Sequence, residues 1–159
     1  MKITIVAVGK VKESYFRGAI QEYEKRLSKY CKLETLEVPD EKTREHASDA
    51  EENLIREKEG QRILKHLKED AYVIALSITG QKLDSVKLSK KLELLGIQGN
   101  SHIQFVIGGS LGLHPDVLQR ADYELSFSDM TFPHQLMRVI LLEQIYRGYR
   151  IMNGEPYHK

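Results

Sequence analysis

Two short apolar runs separated by one helix-length segment constrain the fold of this chain more than any other feature. Residues 72–76, YVIAL, and residues 102–107, HIQFVI, are compact enough to be buried strands. The apolar spacing from Asp84 or Ser85 to Leu95 predicts a helix between them. A strand, a helix and a second strand in this order form a parallel crossover unit. The sequence therefore predicts an α/β fold with a mostly parallel sheet flanked by helices.

The remaining segments continue this alternation of strands and helices. The predicted elements are a strand at Lys2–Val8, a helix from Tyr15 to Leu27, a short edge strand at Lys32–Val38, a charged helix from the N-cap Ser48 to about Lys68, a short helix near Pro115 to Ala121, a strand at 123–127 and a last helix opening at Pro133. The pattern contains no internal repeat or linker. We expect a single domain over residues 1–159.

The last predicted helix is apolar on more than one face. Between Leu136 and Tyr146 most residues are apolar or aromatic, and such a run cannot share one face at about 3.6 residues per turn. One alternative is a central helix buried within a single chain, but a chain of this size rarely encloses a helix on all sides. We therefore favour a two-fold homodimer in which a second copy covers the other face.

Charge and cysteine content restrict the class of protein. The chain has 24 Lys and Arg against 23 Asp and Glu, so it has no globally basic surface for nucleic acid, although a local basic patch stays open. No apolar run approaches the roughly 20 residues that span a bilayer, and the opening lacks a secretory leader. The single cysteine, Cys31, can form neither an internal disulfide nor a Cys-x-x-Cys zinc site. We expect a cytoplasmic protein without metal.

Three segments rich in small and polar residues follow predicted strands. They are SITGQK at 77–82, GGSLG at 108–112 and FSDMTFPH at 127–134. Ligands of parallel sheets bind at the carboxyl ends of the strands, and tight turns without a ligand are the alternative. The Gly-Gly-x-x-Gly spacing matches neither the dinucleotide fingerprint nor the phosphate-binding loop, which disfavours a nicotinamide or nucleoside-triphosphate enzyme.

An ordered set of motifs resembles one protein family over essentially the whole chain. The motifs are KITIVAVGKVKESYF at the start, VIALSITGQKLDS in the middle and FVIGGSLGLHPDVLQRADYELSFSDMTFPHQLMRVILLEQIYRGYRIMNGEPYHK at the end. Each is weak alone, but their order is specific. The chain resembles the bacterial pseudouridine N3-methyltransferases of the SPOUT class, which modify large-subunit (23S) ribosomal RNA.

The resemblance implies a fold and a cofactor. It implies a single SPOUT-type domain with a C-terminal trefoil knot over about residues 71–159, an exception to the rule that chains do not thread themselves. It also implies that the three segments hold a bent S-adenosylmethionine and that no metal takes part. The implied cofactor contacts are Leu76, Gly108, Phe127, Ser128, Asp129, Met130, Thr131 and Phe132, and Gly109 is an adjacent candidate.

The resemblance assigns the substrate site to the end of the chain. A tail of the composition of residues 155–159 is by itself typical of a frayed terminus. The resemblance instead implies that Tyr157 and His158 are the catalytic pair and act on the cofactor held by a partner subunit. The phenol is expected to stack on or hydrogen-bond the base, and the imidazole is expected to accept the N3 proton, although which residue does which stays open. His134 ranks below them as a loop-ordering residue.

The implied partners are a second copy of the chain and 23S rRNA within the assembled 70S ribosome, with neither membrane nor DNA. A phosphate-binding groove is expected where basic residues meet the tails, and scattered solvated charge is the alternative. The candidates are Arg138, Arg147 and Arg150 near the last helix and Lys10, Lys12 and Arg17 after the first strand.

Two other functions compete with the methyltransferase. A non-catalytic, cofactor-sensing ribosome-associated factor would keep the same fold, but the chain retains both the cofactor loops and the Tyr-His ending, which favours the enzyme. An α/β hydrolase lacks support because the chain has no Gly-x-Ser-x-Gly elbow.

Overall fold

Strands and helices alternate through residues 1–158, which the computed structural model describes. The elements are β1 (Lys2–Val8), α1 (Ser14–Leu27), β2 (Lys32–Val38), α2 (Asp49–Leu64), β3 (Tyr72–Lys82), α3 (Ser85–Ile97), β4 (His102–Ile107), α4 (Pro115–Arg120), β5 (Tyr123–Ser126) and α5 (His134–Met152). Lys159, the last residue of the candidate tail, lies outside the described residues. Among these helices, none has the length and apolarity that a bilayer crossing requires.

The strands form one sheet in the order β2-β1-β4-β3-β5, and each neighbouring pair is parallel. The half-polar strand β2 lies at one edge, as its sequence predicts. Parallel pairing places the carboxyl ends of all these strands at the same edge of the sheet. The predicted α/β architecture with a parallel sheet is confirmed.

Alternate side chains of the strands enter two cores on opposite faces of the sheet. On β1, Ile3 and Ile5 join the core that also contains residues of α1, α3 and α5. Val6 and Val8 join the opposite core, with Ile63 of α2. Helices thus cover both faces, as a parallel sheet requires.

The third strand is longer than predicted. The sequence places its end at Leu76, but β3 continues to Lys82 and pairs with β5 again after a bulge. Both Leu76 and Gln81 face Leu125, so the residues between them loop out of the ladder. A Cβ atom at Gly80 would lie 2.6 Å from backbone atoms of Glu124, so only glycine permits this approach.

Two predicted helix boundaries also need correction. The helix α2 ends at Leu64 and not near Lys68, because the buried Gln104 side chain accepts the Lys68 N–H and donates to the His66 carbonyl. These bonds hold the segment after Leu64 as turns. At the last helix, Pro133 is the N-cap and His134 is the first helical residue.

The last helix packs between α1 and α3 of its own chain. Leu141 and Ile145 are buried, whereas Leu136, Val139 and Ile140 are only half-buried. Helices α1 and α3 of the same chain therefore cover part of the α5 surface for which the sequence predicts a second copy. One row of apolar side chains stays incompletely covered, and the homodimer stays a prediction.

Candidate functional site

A cavity of about 830 Å³ opens beside the bulge of β3 and the carboxyl ends of β4 and β5. Its wall contains residues 76–79 of the β3 bulge, residues 108–112 and most of the segment between β5 and α5. We name residues 108–112 the glycine loop and residues 127–133 the capping segment. The three segments singled out in the sequence thus converge on one cavity whose size suits a small molecule.

The glycine loop keeps its backbone close to the cavity. A Cβ atom at Gly108 would lie 3.0 Å from both the Gly112 carbonyl carbon and Cδ2 of Leu113. The loop is closed by the Gly112 N–H, which donates to the Gly109 carbonyl at 3.1 Å. Gly112 has a φ of +83°, a left-handed conformation that favours glycine. The absence of side chains at Gly108, Gly109 and Gly112 leaves room for a ligand to approach peptide groups.

The capping segment combines internal hydrogen bonds with apolar side chains. Ser126 Oγ donates to the Ser128 carbonyl at 3.1 Å, and the Met130 N–H donates to Ser128 Oγ at 3.0 Å. Met130 is 75% exposed and Phe132 is 36% exposed, and both line the cavity. These side chains give the mouth of the cavity an apolar surface that a flat aromatic ring would cover.

Most of the cofactor contacts implied by the resemblance lie in the cavity wall. They are Leu76, Gly108, Phe127, Ser128, Met130, Thr131 and Phe132, with Gly109 beside them. Asp129 is the exception, since it does not line the cavity. Its side chain is 81% exposed and forms an ion pair with Lys82 at 2.5 Å.

His134 lines the same cavity at the start of α5. Burial lowers the pKa of His134, the Arg138 cation lowers it further, and the Asp40 carboxylate opposes both effects. The imidazole is therefore held neutral, with one ring nitrogen free of a proton. From the sequence we expect a loop-ordering role for this residue within the 127–134 segment, and the structure places it in the cavity wall.

The two tail residues belong to a second cluster, centred on α5. The Tyr157 ring lies edge-on to Tyr146 with ring centres 5.0 Å apart, and its hydroxyl donates to Glu143 at 3.3 Å. The Arg147 guanidinium lies over the Tyr157 ring, 4.7 Å from its centre, and also donates to Glu143. Arg147 Nη1 lies 3.2 Å from His158 Nδ1. The cluster holds the tail against the helix.

The residues before the cluster are also anchored. Arg150 donates to Glu155 and to the Pro156 carbonyl, and Tyr30 donates to Glu155 at 2.7 Å. The prediction of a frayed terminus, which composition alone suggests, is therefore wrong for these residues. Sequence analysis missed Glu143, although its position four residues before Arg147 in an apolar helix was an available signal.

Burial raises the pKa of Tyr157 to about 12, and hydrogen bonds with Tyr23 and Glu143 and the Glu143 charge add to the rise. Its phenol is therefore protonated throughout the neutral range. A protonated phenol donates a hydrogen bond and does not accept a proton.

Neither Tyr157 nor His158 lines the cavity of its own chain. Within one protomer the structure therefore does not bring the implied catalytic pair together with the implied cofactor contacts. The tail cluster and the cavity are two separate places in the structure.

The set of basic residues predicted to form a phosphate-binding groove needs correction. Arg138 is 4% exposed and donates to Glu37 and to the Gly9 carbonyl, so it holds β1, β2 and α5 together and is not available to phosphate. The other two arginines of the last helix carry internal hydrogen bonds to Glu143 and Glu155. The exposed basic candidates are Lys10, Lys12 and Arg17.

Comparison with known proteins decides which family this fold and cavity represent. A family model described as "Predicted SPOUT methyltransferase" matches residues 1–158. The chain belongs to the SPOUT methyltransferase family.

Similar proteins support this assignment over the full length. The chain is 66% identical to the ribosomal RNA large subunit methyltransferase H of Bifidobacterium adolescentis and 60% identical to that of Alkaliphilus oremlandii, with 100% of each chain covered. A solved structure of a probable methylase family protein from Haemophilus influenzae Rd KW20 matches with a TM-score of 0.54 at 14% identity, over 99% of this chain and 70% of that one. This last similarity concerns the fold alone.

A SPOUT methyltransferase takes its methyl group from S-adenosylmethionine, and the cavity fits that molecule. A Cβ atom at Gly108 would crowd Gly112 and Leu113, so glycine is needed there, and Gly108 and Gly109 line the cavity with peptide groups that carry no side chain. The apolar walls suit an adenine ring, and the backbone groups and hydroxyls suit the polar tail. Within residues 1–158, no group of three or more His, Cys, Asp or Glu side chains is placed to hold a metal ion.

Replacing Gly108 with valine tests the role of the glycine loop. The added side chain would crowd Gly112 and Leu113, so we expect S-adenosylmethionine to bind at least about tenfold more weakly in isothermal titration calorimetry. Gly18→Ala is the control, because a Cβ atom at Gly18 has no neighbour within 4 Å. Equal affinity in wild type and Gly108→Val would remove the loop from the site.

The tail cluster predicts a late-ionising tyrosine. In an ultraviolet pH titration, subtracting the Tyr157→Phe curve from wild type should leave one tyrosine that ionises near pH 12, compared with about 10 for a free phenol. Because the folded pKa is raised, the cluster stabilises the fold fully below pH 10 and loses this contribution as the pH rises through 12. A difference curve centred near pH 10 would place the phenol outside the cluster.

Proposed function

We propose that this chain is an S-adenosylmethionine-dependent methyltransferase that methylates N3 of a pseudouridine in 23S rRNA on the assembled 70S ribosome. The observation that carries the proposal is the name shared by full-length relatives at 58% and 66% identity, ribosomal RNA large subunit methyltransferase H. That name supports an enzyme over a non-catalytic cofactor-sensing factor. The pseudouridine N3 target comes from the motif resemblance.

The cavity residues bind and orient the cofactor. S-adenosylmethionine supplies an electrophilic methyl group on a sulfonium. Leu76, Phe127 and Met130 provide apolar walls, and the peptide groups of the glycine loop provide donors and acceptors for the polar parts. By fixing the cofactor in one orientation, these residues align the methyl group for attack along one direction.

The tail residues handle the base and its proton. N3 of pseudouridine carries a weakly acidic proton that has to leave before or during methyl transfer. Since the raised pKa keeps the Tyr157 phenol protonated, its role is to orient the base by hydrogen bonding or stacking. His158, exposed beside Arg147, is then the proton acceptor. The Glu143 carboxylate holds Tyr157 and Arg147 in place.

A second copy of the chain completes the site. The tail and the cavity are separate within one protomer, so a partner has to bring its own Tyr157 and His158 to the cavity. The half-buried residues Leu136 and Val139 supply an apolar surface on α5 for such a partner. Phe132 lines both the cavity and a neighbouring depression that includes Ile140, so this surface borders the cavity directly.

The ribosome contact and the location of the protein follow from this function. Lys10, Lys12 and Arg17 are exposed after β1, at the same edge of the sheet as the cavity, where they can bind phosphates with an affinity that falls with salt. An enzyme acting on bacterial ribosomes works in the cytoplasm. The trefoil knot over about residues 71–159 stays a prediction from the resemblance.

Transfer of labelled methyl groups tests the function directly. The protein is incubated with labelled S-adenosylmethionine and 70S ribosomes from cells lacking it, with separated subunits and ribosomes lacking pseudouridine in parallel. We expect label in 23S rRNA of intact ribosomes only where pseudouridine is present. Cofactor binding without transfer to any of these substrates would favour the non-catalytic factor.

A mixing experiment tests the shared site. Gly108→Val disables the cavity and His158→Ala disables the tail, so each variant alone should lose at least about 90% of methyl transfer, while His158→Ala keeps cofactor binding. If each site combines two chains, mixed dimers regain one working site and activity reappears on mixing. Absence of recovery in demonstrated mixed dimers would contradict a site built from two chains. The control for loss of a histidine is His46→Asn. His46 is exposed and has a φ of +58°, a left-handed conformation that asparagine also adopts.

A further inference from the structure

Glu59 is a buried carboxyl group with one unpartnered oxygen, and it lies beneath the glycine loop. The residue is 4% exposed, and its Oε2 accepts the Glu41 N–H at 2.9 Å. Its Oε1 is buried without a hydrogen-bond partner. A Cβ atom at Gly109 would lie 3.1 Å from Oε1 and 3.3 Å from Oε2, so the carboxyl is packed directly against the loop. Burying a carboxyl oxygen without a hydrogen-bond partner costs free energy.

The same face of α2 makes one further contact with the loop, at Leu111, and one with His114, two residues after the loop. Arg56 Nε donates to the Leu111 carbonyl at 2.8 Å, and Gly60 lies so close to His114 that a Cβ atom there would be 3.0 Å from His114 Cβ. Arg56, Glu59 and Gly60 are spaced by three and four residues and therefore share one helix face. This face supports the glycine loop on the side away from the cavity.

We propose that Glu59 and Arg56 are positioning residues that hold the glycine loop in the conformation that binds S-adenosylmethionine. The inference rests on the proposed function, since it concerns the cofactor cavity of the same enzyme. Arg56 holds the Leu111 carbonyl by a hydrogen bond, and the Glu59 carboxyl packs against Gly109. Together they hold the loop backbone in the position from which its peptide groups face the cavity. Neither residue lines the cavity itself.

The surroundings of Glu59 make glutamine a close substitute. Burial raises the pKa of Glu59, the Asp40 and Glu41 carboxylates raise it further, and the Glu41 N–H and Arg62 oppose them. The protonated, uncharged form of the Glu59 carboxyl is thus more favoured than in an exposed glutamate. Glutamine has the same shape, keeps an acceptor for the Glu41 N–H and carries no charge. Leucine has a similar volume but offers no acceptor at all.

Calorimetric titration of the full-length protein with S-adenosylmethionine tests the proposal. We expect Glu59→Leu and Arg56→Ala each to weaken binding by about tenfold and Glu59→Gln to stay within about twofold of wild type. Glu57→Ala, an exposed change on the same helix, is the matched control and should bind like wild type. Hydrogen exchange of residues 108–112 without cofactor should become faster in the two weakened variants and stay unchanged in the control.

Two results would overturn the proposal. One is unchanged affinity in both Arg56→Ala and Glu59→Leu. The other is a weakening in Glu59→Gln as large as that in Glu59→Leu, since this would assign the effect to lost charge and not to loop support. If Glu59→Leu does not fold, Arg56→Ala with the exchange measurement decides alone. Failure of wild type itself to bind the cofactor would instead count against the proposed function.

Discussion

The parallel register of the sheet is the constraint on which the rest of the structure depends. Since β3, β4 and β5 run in the same direction, the bulge of β3 and the segments that follow β4 and β5 meet at one edge. The close contact between Gly80 and Glu124 keeps β3 beside β5 beyond the bulge. Without this alignment, the residues of the cavity wall would lie at opposite ends of the molecule.

The two faces of the sheet support different parts of the site. On one face, α2 carries the polar contacts under the glycine loop. On the other, α5 carries the tail cluster and the half-buried apolar row. The cavity is also lined by His134 and Met137 of α5, so this helix contributes to both the cavity and the tail cluster. The buried bonds of Arg138 to Glu37 and the Gly9 carbonyl connect α5 to the sheet.

Features encoded by local patterns could be predicted from the sequence, and features that depend on distant partners could not. The apolar runs identified the strands, and the rule that parallel sheets bind ligands at carboxyl ends identified the loops. The bulge in β3 could not be predicted from the sequence, because its polar residues do not have the apolar pattern of a buried strand. The end of α2 depends on Gln104, which lies 36 residues from Lys68 along the chain. The sequence predicts an RNA contact for Arg138 because its true partner, Glu37, is 101 residues away along the chain and no local pattern indicates the ion pair. The roles of Tyr157 and His158 came from family resemblance and not from composition.

The position of β1 inside the sheet affects how the chain reaches its native state. Lys2 of the first strand faces His102 of β4, so β1 acquires its inner neighbour only once the chain as far as β4 has been synthesised. Before that point β1 can pair with β2 alone, and its other backbone groups are open to solvent. Contacts between such distant residues slow folding. Completion of the sheet, and with it of the cavity, therefore has to wait until β4 and β5 are available to pair.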